Sequence, residues 1–461
     1  MKSTKKFKIT IITLSVLCAL LIAGVVVLLC ILLSDPYDTI SKEEFYEAVG
    51  NNLKIPVVEI NTSGSDPSSD TNYASCSFAL SNTAEPTHSF SVEMKDNPMG
   101  VGGVGIRVRG NYSQNAEKKA YRVRFNEKTS ILGLKANKSW VLLADAFDQS
   151  NIRNYTALTL ASYFDNMDFT PTPNHVALIM NGEFRGLYLL CEQVDEEKGR
   201  CDVEVDDLTL YKNDYPFLVC VDESSKSGQV KGRDYFEVEG WYPVEIKYPD
   251  YDERPLDGDP VFNYIEEYMN AVYSALKTGE KVTVSFSDTP LGLEDLVDID
   301  SLIDYYLVNE IMFNCDSASK SIYAYREAGG KLKFGPVWDF DWSMAYEFDL
   351  PYSESHIGTA YEIHIQFRSP LFEEFLKNEE YMEKTALRFL EKKDALLAVS
   401  EHLRTYKNKI DGVATIDATI TYGENGIFQY DMQYDYVRLY LLDRYNFLVS
   451  HFTSILGGTN G

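Results

Sequence analysis

Hydrophobic and polar positions alternate through much of the first half of the chain, as they do in strands that bury one face. This alternation predicts eight strands, in the segments "KIPVVEI", "YASCSFAL", "HSFSVEMK", "GIRVRG", "AYRVRF", "SWVLLADA", "HVALIMN" and "GLYLLCEQV". A helix is predicted within this half near "SNIRNYTALTLASYF", and the polar stretch "DESSKSGQVKGRD" predicts a mobile loop inside an inserted hairpin.

The period of the hydrophobic positions changes near residue 299. In "DIDSLIDYYLVNEIMFN" apolar residues recur at helical spacing, and Ser301 with Asp304 predicts a capping box at the start of a helix. The stretch 321–342 predicts a hairpin, and residues 366–455 predict mostly helix. A β-rich first half, a central helix and hairpin, and a helical end make the predicted fold class α+β.

The first 34 residues differ from the rest of the chain. They begin with "MKSTKKFK", which has four lysines and no acidic residue, and continue with about 25 uncharged residues, where a bilayer span needs ~20. We interpret residues 1–34 as cytoplasmic lysines and an uncleaved transmembrane signal anchor, followed by a juxtamembrane segment, 35–52, with a short helix. The main domain would then be extracytoplasmic. A cleaved signal peptide is the alternative, although no clear cleavage site follows the apolar run.

The net charge of the chain limits the classes of molecule that it is expected to bind. Of 461 residues, 43 are basic and 70 acidic. Residues 1–33 hold four of the basic and none of the acidic ones, which leaves a net charge of −31 for the remainder. A surface this acidic argues against nucleic acid as a partner, because a phosphate backbone needs basic side chains. It suits a basic, Ser-rich protein substrate, although acidity is also a common solubility feature.

Cysteine and histidine usage argues against a disulfide framework and a zinc site. Five cysteines lie outside the apolar run, their spacings are irregular, and no CxxC occurs. One bridge among Cys191, Cys201 and Cys220 is the remaining possibility from spacing alone. The six histidines are scattered and form no HxH or HExxH pattern, so zinc is not expected.

Two aspartates lie within the apolar segment "KFGPVWDFDWSMAYE". If "WDFDW" is a strand, its three aromatic residues share the core face, and Asp339 and Asp341 share the other, with Cα atoms about 6.6–6.8 Å apart. Two carboxylates on one sheltered face repel each other, and a divalent cation such as Mg²⁺ would remove the conflict. Basic partners or water are the alternative.

Glycines and basic residues cluster between two predicted strands. "GVGGVG", residues 100–105, has GxGxxG spacing but precedes a strand, which argues against a dinucleotide-binding turn. A kinase-type glycine loop followed by Lys118 and Lys119 fits better, with an ordinary turn as the alternative. Arg107 and Arg109 share a strand face that would suit phosphate, or would simply be solvated.

A second acidic position follows the predicted central helix. The loop "NEIMFNCDSASKS" contains Asn314, Asp316 and Lys320. An aspartate in such a loop suits a general base, and Lys320 lies close enough in sequence to stabilise transferred charge. Asp316 precedes Asp339 by 23 residues, across one hairpin, and a kinase needs this kind of pair: one aspartate for the acceptor hydroxyl and one for the metal.

Five ordered motifs make the chain resemble the spore-coat protein H (CotH) kinase family. The resemblance covers about residues 53–350, the predicted core, and residues 351–461 are similar to the helical end of the same domain in that family. The motifs, in chain order, are "IRVRGNYSQNAEKKAYRVRF", "WVLLADAFDQSNIRN", "NGEFRGLYLLCEQVD", "IDYYLVNEIMFNCD" and "GGKLKFGPVWDFDW". The resemblance implies an atypical, secretory-kinase-like fold and transfer of phosphate from ATP to protein Ser or Thr, with Mg²⁺ or Mn²⁺.

The resemblance also implies roles for the acidic residues. Asp316 corresponds to the catalytic aspartate, and Asp339 to the aspartate that holds the metal. Asp341 is a second metal ligand or orients the first. Asn314 is a candidate for a further metal-binding role, because "DSASKS" lacks the asparagines that some members carry after the catalytic aspartate.

The basic residues and one glutamate receive the nucleotide-binding roles. The pair Lys118–Lys119 supplies the phosphate-binding lysine, with the choice between the two left open. Glu192 is the candidate ion-pair partner of that lysine. Arg109 and Arg153 are supporting groups with a nucleotide-binding or a purely structural role.

Two departures from the family pattern keep other functions open. Tyr112 stands where the family often has Ser, and the missing asparagines after Asp316 are compatible with a pseudokinase. The alternative function is therefore a non-catalytic surface protein in adhesion or in coat or wall assembly. A glycosidase is a third hypothesis, since paired carboxylates also serve that chemistry.

Overall fold

A closed ring of strands, a smaller sheet and helices packed around both account for the described parts of the chain. The computed structural model describes residues 39–81, 89–90, 103–110, 113–223, 229–249, 258–344 and 364–458, apart from residues 63, 65, 69 and 70. The described residues from Ile40 onward belong to one compact unit.

The larger sheet contains nine of the described strands. These are β1 (Ile40–Ser41), β2 (Val57–Asn61), β3 (Ala74–Ser81), β4 (Ser89–Phe90), β5 (Val104–Arg109), β6 (Ala120–Thr129), β7 (Asn137–Leu143), β8 (Asn174–Met180) and β9 (Glu183–Glu192). Seven of them close into a ring in the order β2-β3-β5-β6-β7-β9-β8, because β8 pairs with β9 on one side and with β2 on the other. The β2–β8 contact is parallel, and the other contacts of the ring are antiparallel.

Both faces of this ring are covered by apolar groups. Successive side chains of a strand point to opposite faces, so Val123 and Trp140 fill the interior of the ring while Val141, Leu143 and Cys191 pack outward with the rest of the main core. Burial of both faces explains the near-continuous apolar runs of β7, β8 and β9.

The smaller sheet carries the hairpin that leads to the paired aspartates. Its described strands are β10 (Phe217–Val221), β11 (Tyr235–Glu237), β12 (Pro243–Tyr248), β13 (Ile322–Arg326) and β14 (Lys333–Phe334), in the order β11-β12-β10-β13-β14. All of these pairings are antiparallel.

Nine α-helices occur in the described residues. They are α1 (Lys42–Val49), α2 (Arg153–Ala161), α3 (Pro260–Thr278), α4 (Leu293–Leu296), α5 (Ile299–Met312), α6 (Pro370–Leu376), α7 (Glu379–Lys392), α8 (Asp394–Tyr422) and α9 (Gly426–Gly458). Helices α8 and α9 pack against each other, and α8 also contacts α2 and β9. The C-terminal helices thus reach the strand ring directly.

The mixed α+β class is confirmed, with a β-rich first half and a helical end. Predicted strands appear as β2, β3 and β5 to β9, and the central helix appears as α5. For "HSFSVEMK" only the short strand β4 falls within the described residues, and residues 224–228 of the predicted mobile loop lie outside them. Helix α3 was not predicted, although Phe262, Ile265, Met269 and Val272 are buried at helical spacing.

Two local predictions are wrong. The N-cap of α5 is Asp298, whose side chain accepts a hydrogen bond from the Ser301 amide, so Ser301 and Asp304 do not form a capping box. The segment "WDFDW" is not a strand, because β14 ends at Phe334 and Asp339 has a left-handed φ of +66°. A strand cannot continue through such a residue, so the two aspartates do not alternate with the aromatic residues as predicted.

The predicted single-pass membrane protein is corrected. In the part of the chain that the structure describes, no helix has both the length and the apolar composition to cross a bilayer. The predicted anchor, 1–34, and the first residues of the segment 35–52 lie outside the described residues.

The possible disulfide is also not formed. Cys191, Cys201 and Cys220 are buried and take part in no disulfide, and the same holds for Cys76. Burial raises the pKa of the Cys76 thiol to about 12, so this group is an unreactive core side chain.

Candidate functional site: two buried charged clusters

The end of helix α5 positions Asn314 and Asp316. The helix stops at Phe313, which adopts a left-handed conformation with φ +44°. Asn314 then turns inward, and its amide nitrogen donates to Asn309 Oδ1 at 3.1 Å. Its Oδ1 accepts from the Asp316 backbone amide at 3.2 Å, and Asp316 opens a short 3₁₀ turn. A buried asparagine therefore fixes the loop on which the predicted catalytic aspartate lies.

The same asparagine connects this loop to Asp339. Asn314 Nδ2 also donates to the Asp339 carbonyl oxygen at 3.2 Å. The Asp339 carboxylate accepts from Ser321 Oγ at 3.1 Å, a residue of the loop between Asp316 and β13. The structure thus brings Asn314, Asp316 and Asp339 together. The side-chain amide of Asn314 is already engaged in the hydrogen bonds that position the Asp316 loop and the Asp339 backbone.

Asp316 and Asp339 affect each other electrostatically. Burial, followed by the charge of Asp339, raises the pKa of Asp316 to about 7. Burial also raises the pKa of Asp339, while Arg109 and Ser321 act in the opposite direction. Lys320, ion-paired with Glu223 at 3.3 Å, offsets part of the negative charge around both aspartates.

Asp341 lies in a different part of the same acidic region. Its carboxylate accepts from Asn154 Nδ2, which also donates to Asp145 Oδ1 at 2.8 Å. Burial, and then the charges of Asp145 and Asp339, raise the pKa of Asp341 well above its ordinary value. Asp145 was not predicted as a site residue. Its sequence signal is an aspartate two residues after the end of the buried strand β7, in "VLLADAFD". Asp145, Asp316, Asp339 and Asp341 are called the carboxylate centre below.

The predicted nucleotide lysine is held in a closed ion pair. Lys118 Nζ donates to Asp417 Oδ2 at 2.7 Å and to the Leu187 carbonyl oxygen at 2.7 Å. The side chains of Lys118 and Asp417 are 4% and 3% exposed. Lys118, Asp417 and the Leu187 carbonyl are called the lysine corner below. Its charge acts on the carboxylate centre: burial, and then the charge of Asp148, raise the pKa of Asp145 to about 7, while Lys118 acts in the opposite direction.

Gly186 makes room for the lysine corner. Its φ is +115°, and a Cβ at this position would lie 2.2 Å from Asp417 Oδ1 and 2.8 Å from Lys118 Cε. Glycine is therefore required both by the backbone conformation and by the space. Asp417 was not predicted; its signal is a charged residue on the buried face of α8, next to Val413, Ala414 and Ala418.

Glu192 is not the partner of Lys118. Its carboxylate accepts from the Thr172 backbone amide at 2.7 Å, and Asp417 occupies the position at the lysine that was expected for Glu192. Burial raises the pKa of Glu192. The predicted ion pair with Glu192 would have joined two strands of one sheet. The observed pair with Asp417 instead joins the strand ring to helix α8.

The remaining predicted residues separate into two groups. Arg109 lies over the Trp338 ring at 5.4 Å and influences the pKa of Asp339, which places it beside the carboxylate centre. Lys119 instead donates to the Gln114 carbonyl oxygen at 2.7 Å. Arg153 is fully buried, ion-paired with Asp148 and bonded to Ser343 O and Gln433 Oε1, so its contacts are those of a structural group.

The carboxylate centre has too few convergent side chains to enclose a metal by itself. Among the described residues, no group of three or more Asp, Glu, His or Cys could hold an ion. Mg²⁺ ordinarily takes only one or two protein carboxylates and completes its shell with water and substrate phosphates. The buried and uncompensated carboxylates present here fit that requirement.

Comparison with known proteins agrees with the motifs. No curated protein matches the chain. The sequence profile of the family described as CotH kinase protein matches residues 106–448, which is well over half of the chain and includes every residue of the carboxylate centre and the lysine corner. The chain therefore belongs to the CotH kinase family.

Proposed function

We propose that this protein is an atypical protein kinase that transfers phosphate from ATP to Ser or Thr of protein substrates, coat proteins among them. The observation that carries the proposal is the pairing of Asp316 with Asp339. They come from either side of the β13–β14 hairpin, and Asn314 connects them by accepting from the Asp316 amide and donating to the Asp339 carbonyl oxygen. Family membership supports it, and the β-rich first half and helical end of the chain agree with it.

Asp316 would act as the general base that accepts the proton of the acceptor hydroxyl. A base works best when its pKa lies near the operating pH, and the pKa of Asp316 is raised to about 7. Lys320 lies on the same loop and carries a positive charge that Asp316 and Glu223 reinforce. It would balance the negative charge that develops when phosphate is transferred.

Asp339 would hold the divalent cation, Mg²⁺ or Mn²⁺, that accompanies ATP. Such a cation, when bound, neutralises charge on the transferred phosphoryl group. Arg109 beside Asp339 is placed to assist with phosphate, since guanidinium groups suit oxyanions. Asn314 keeps the backbone of the Asp339 turn in place, and Asp341 is a second candidate ligand.

Lys118 would bind nucleotide phosphate, and Asp417 rather than Glu192 would orient its ammonium group. Two of its three N–H bonds are directed at Asp417 and at Leu187 O, which leaves one. Lys119 is the weaker candidate, because its ammonium donates to Gln114 O in the 3₁₀ turn before β6.

A non-catalytic role in coat assembly or adhesion is the second candidate. The observation that favours it is the burial of Lys118, which is 5% exposed and already paired. A lysine that binds nucleotide must be reached by phosphate, so this candidate predicts that ATP does not bind.

The test is transfer from labelled ATP by the purified protein with Mg²⁺ or Mn²⁺. Asp316→Asn and Asp339→Asn keep the shape of each side chain and should each lower the rate at least 100-fold. Asp304→Asn is the matched control: Asp304 is buried and also has a raised pKa, but its partners are Asn166 and Arg388. Equal labelling by wild type and both site variants would refute the proposal, and absence of ATP binding by calorimetry would favour the non-catalytic role.

The acceptor proposed here is basic and Ser-rich, in keeping with the net charge of −27. Asp316, the proposed base, and Glu223, whose charge acts on it, are both acidic and would attract such a segment. Matched Ser peptides flanked by Lys or by Glu test this, and faster labelling of the Glu peptide would contradict it.

A further inference from the structure

Asp145 and Asp341 converge on a single donor. Asn154 Nδ2 donates to Asp145 Oδ1 and to Asp341 Oδ1, so the two oxygens are at most about 6 Å apart, twice a typical hydrogen bond. Asn154 is itself fixed, because its Oδ1 accepts from the Phe340 amide at 2.9 Å. The end of β7 and the 339–341 turn are thus held together at this point.

One oxygen of the pair is left without a partner. Asp145 is 4% exposed, and its Oδ2 is buried with no hydrogen bond. An unpaired buried carboxylate oxygen is costly, because it gives up hydration without gaining a donor. This oxygen belongs to the same carboxylate that shares Asn154 with Asp341, so it is available to a ligand.

Two other buried acids nearby have ion-pair partners. Asp148 is ion-paired with Arg153, and Asp417 with Lys118. Within the described residues, Asp145 and Asp341 have no such ion pair: their hydrogen-bond donor is the neutral amide of Asn154. Negative charge without an ion-pair partner therefore remains on these two side chains.

We propose that Asp145 and Asp341 bind a divalent cation of the Mg²⁺ or Mn²⁺ class in the absence of nucleotide. Hard cations of this class prefer carboxylate oxygen, and water fills the rest of the shell. The bound cation would satisfy Asp145 Oδ2 and connect strand β7 to the turn that carries Asp339. The site goes beyond the proposed phosphoryl transfer, because it requires neither ATP nor an acceptor.

The experiment counts Mn²⁺ bound to the nucleotide-free protein at pH 8 by electron paramagnetic resonance, with thermal unfolding in parallel. Wild type should bind Mn²⁺ and melt at a higher temperature when it is added. Asp145→Asn should bind one fewer ion, or bind it at least tenfold more weakly, and lose that thermal shift. Asp304→Asn should behave as wild type.

The Asp145→Asn variant is also expected to fold, since the substitution removes a charge that has no ion-pair partner and leaves the side-chain size unchanged. Its melting temperature without metal should equal or exceed that of wild type. Asp316→Asn separates this site from the kinase: it should lose phosphate transfer but keep the nucleotide-independent ion. Absence of bound Mn²⁺ in wild type, or unchanged binding in Asp145→Asn, would overturn the proposal and indicate that the two carboxylates share a proton.

Discussion

The lysine corner and the carboxylate centre are neighbouring buried clusters that deal with charge in opposite ways. In the lysine corner Lys118 meets one carboxylate and one carbonyl, and Gly186 is shaped around them. In the carboxylate centre, among the described residues, Asp145, Asp339 and Asp341 accept only from the neutral donors Asn154 and Ser321, and the pKa values of all four aspartates rise. The first cluster is complete without a ligand, whereas the second becomes electrostatically balanced only when protons or cations are added. This contrast distinguishes a lysine that is held in place before any ligand binds from carboxylates that need protons or a cation for balance.

The largest effect is expected from breaking the lysine corner. Asp417→Ala leaves the Lys118 ammonium buried without its counterion and should lower the free energy of unfolding by about 3–5 kcal/mol. Urea denaturation measures this loss. The double variant Lys118→Met, Asp417→Leu removes both charges and should recover most of the stability. A double variant as unstable as Asp417→Ala would show that packing, not the unpaired charge, causes the loss.

Gly186→Ala should give the next largest effect, a loss of about 2–3 kcal/mol, because the new Cβ meets Asp417 Oδ1 and the positive φ is strained. Gly182→Ala is the matched control: Gly182 has a φ of +83° but nothing within 4 Å of an added Cβ. The control should lose only the backbone part, about 1 kcal/mol. If the two variants lost equal stability, the close contact between the added Cβ and Asp417 could not be the cause of the loss at position 186.

Removing a charge from the carboxylate centre should stabilise the protein, whereas the changes at the lysine corner destabilise it. Asp316→Asn should raise the free energy of unfolding of the metal-free protein by about 1–2 kcal/mol at pH 8. A carboxyl whose folded-state pKa of about 7 exceeds its unfolded value binds protons more tightly when folded. Stability therefore falls as pH rises from about 4 to 7, and the gain from Asp316→Asn should vanish below about pH 4. Thermal unfolding from pH 8 to below pH 4 checks it, and a gain that persists undiminished at the lowest pH would contradict the titration.

Lys119→Ala should have the smallest effect, about 0.5 kcal/mol or less, because Lys119 is partly exposed and bonded to one carbonyl. ATP affinity by calorimetry should stay unchanged in this variant, while Lys118→Met should reduce it. The reverse result would assign the phosphate-binding role to Lys119 and leave the lysine corner purely structural.

Much of the fold follows from local sequence pattern. Strand alternation and helical spacing predicted β2, β3, β5 to β9 and α5, since burial imposes a period on each element. The strand prediction for "WDFDW" was wrong because a short apolar run does not reveal that β14 ends at Phe334 or that Asp339 is left-handed. Closure of the ring between β8 and β2 depends on pairing across more than a hundred residues, which no local period encodes.

For the site, the sequence by itself determined which acids and lysines are available and, through ordered motifs, the family to which they belong. Only the tertiary structure decided their partners. Asp417, some 300 residues from Lys118 in sequence, replaces Glu192 because helix α8 packs on the ring at Gly186. Asp145 joins Asp341 because Asn154 of α2 stands between β7 and the 339–341 turn. Charge pairing depends on distance in space, and these distances are set by packing rather than by the order of residues along the chain.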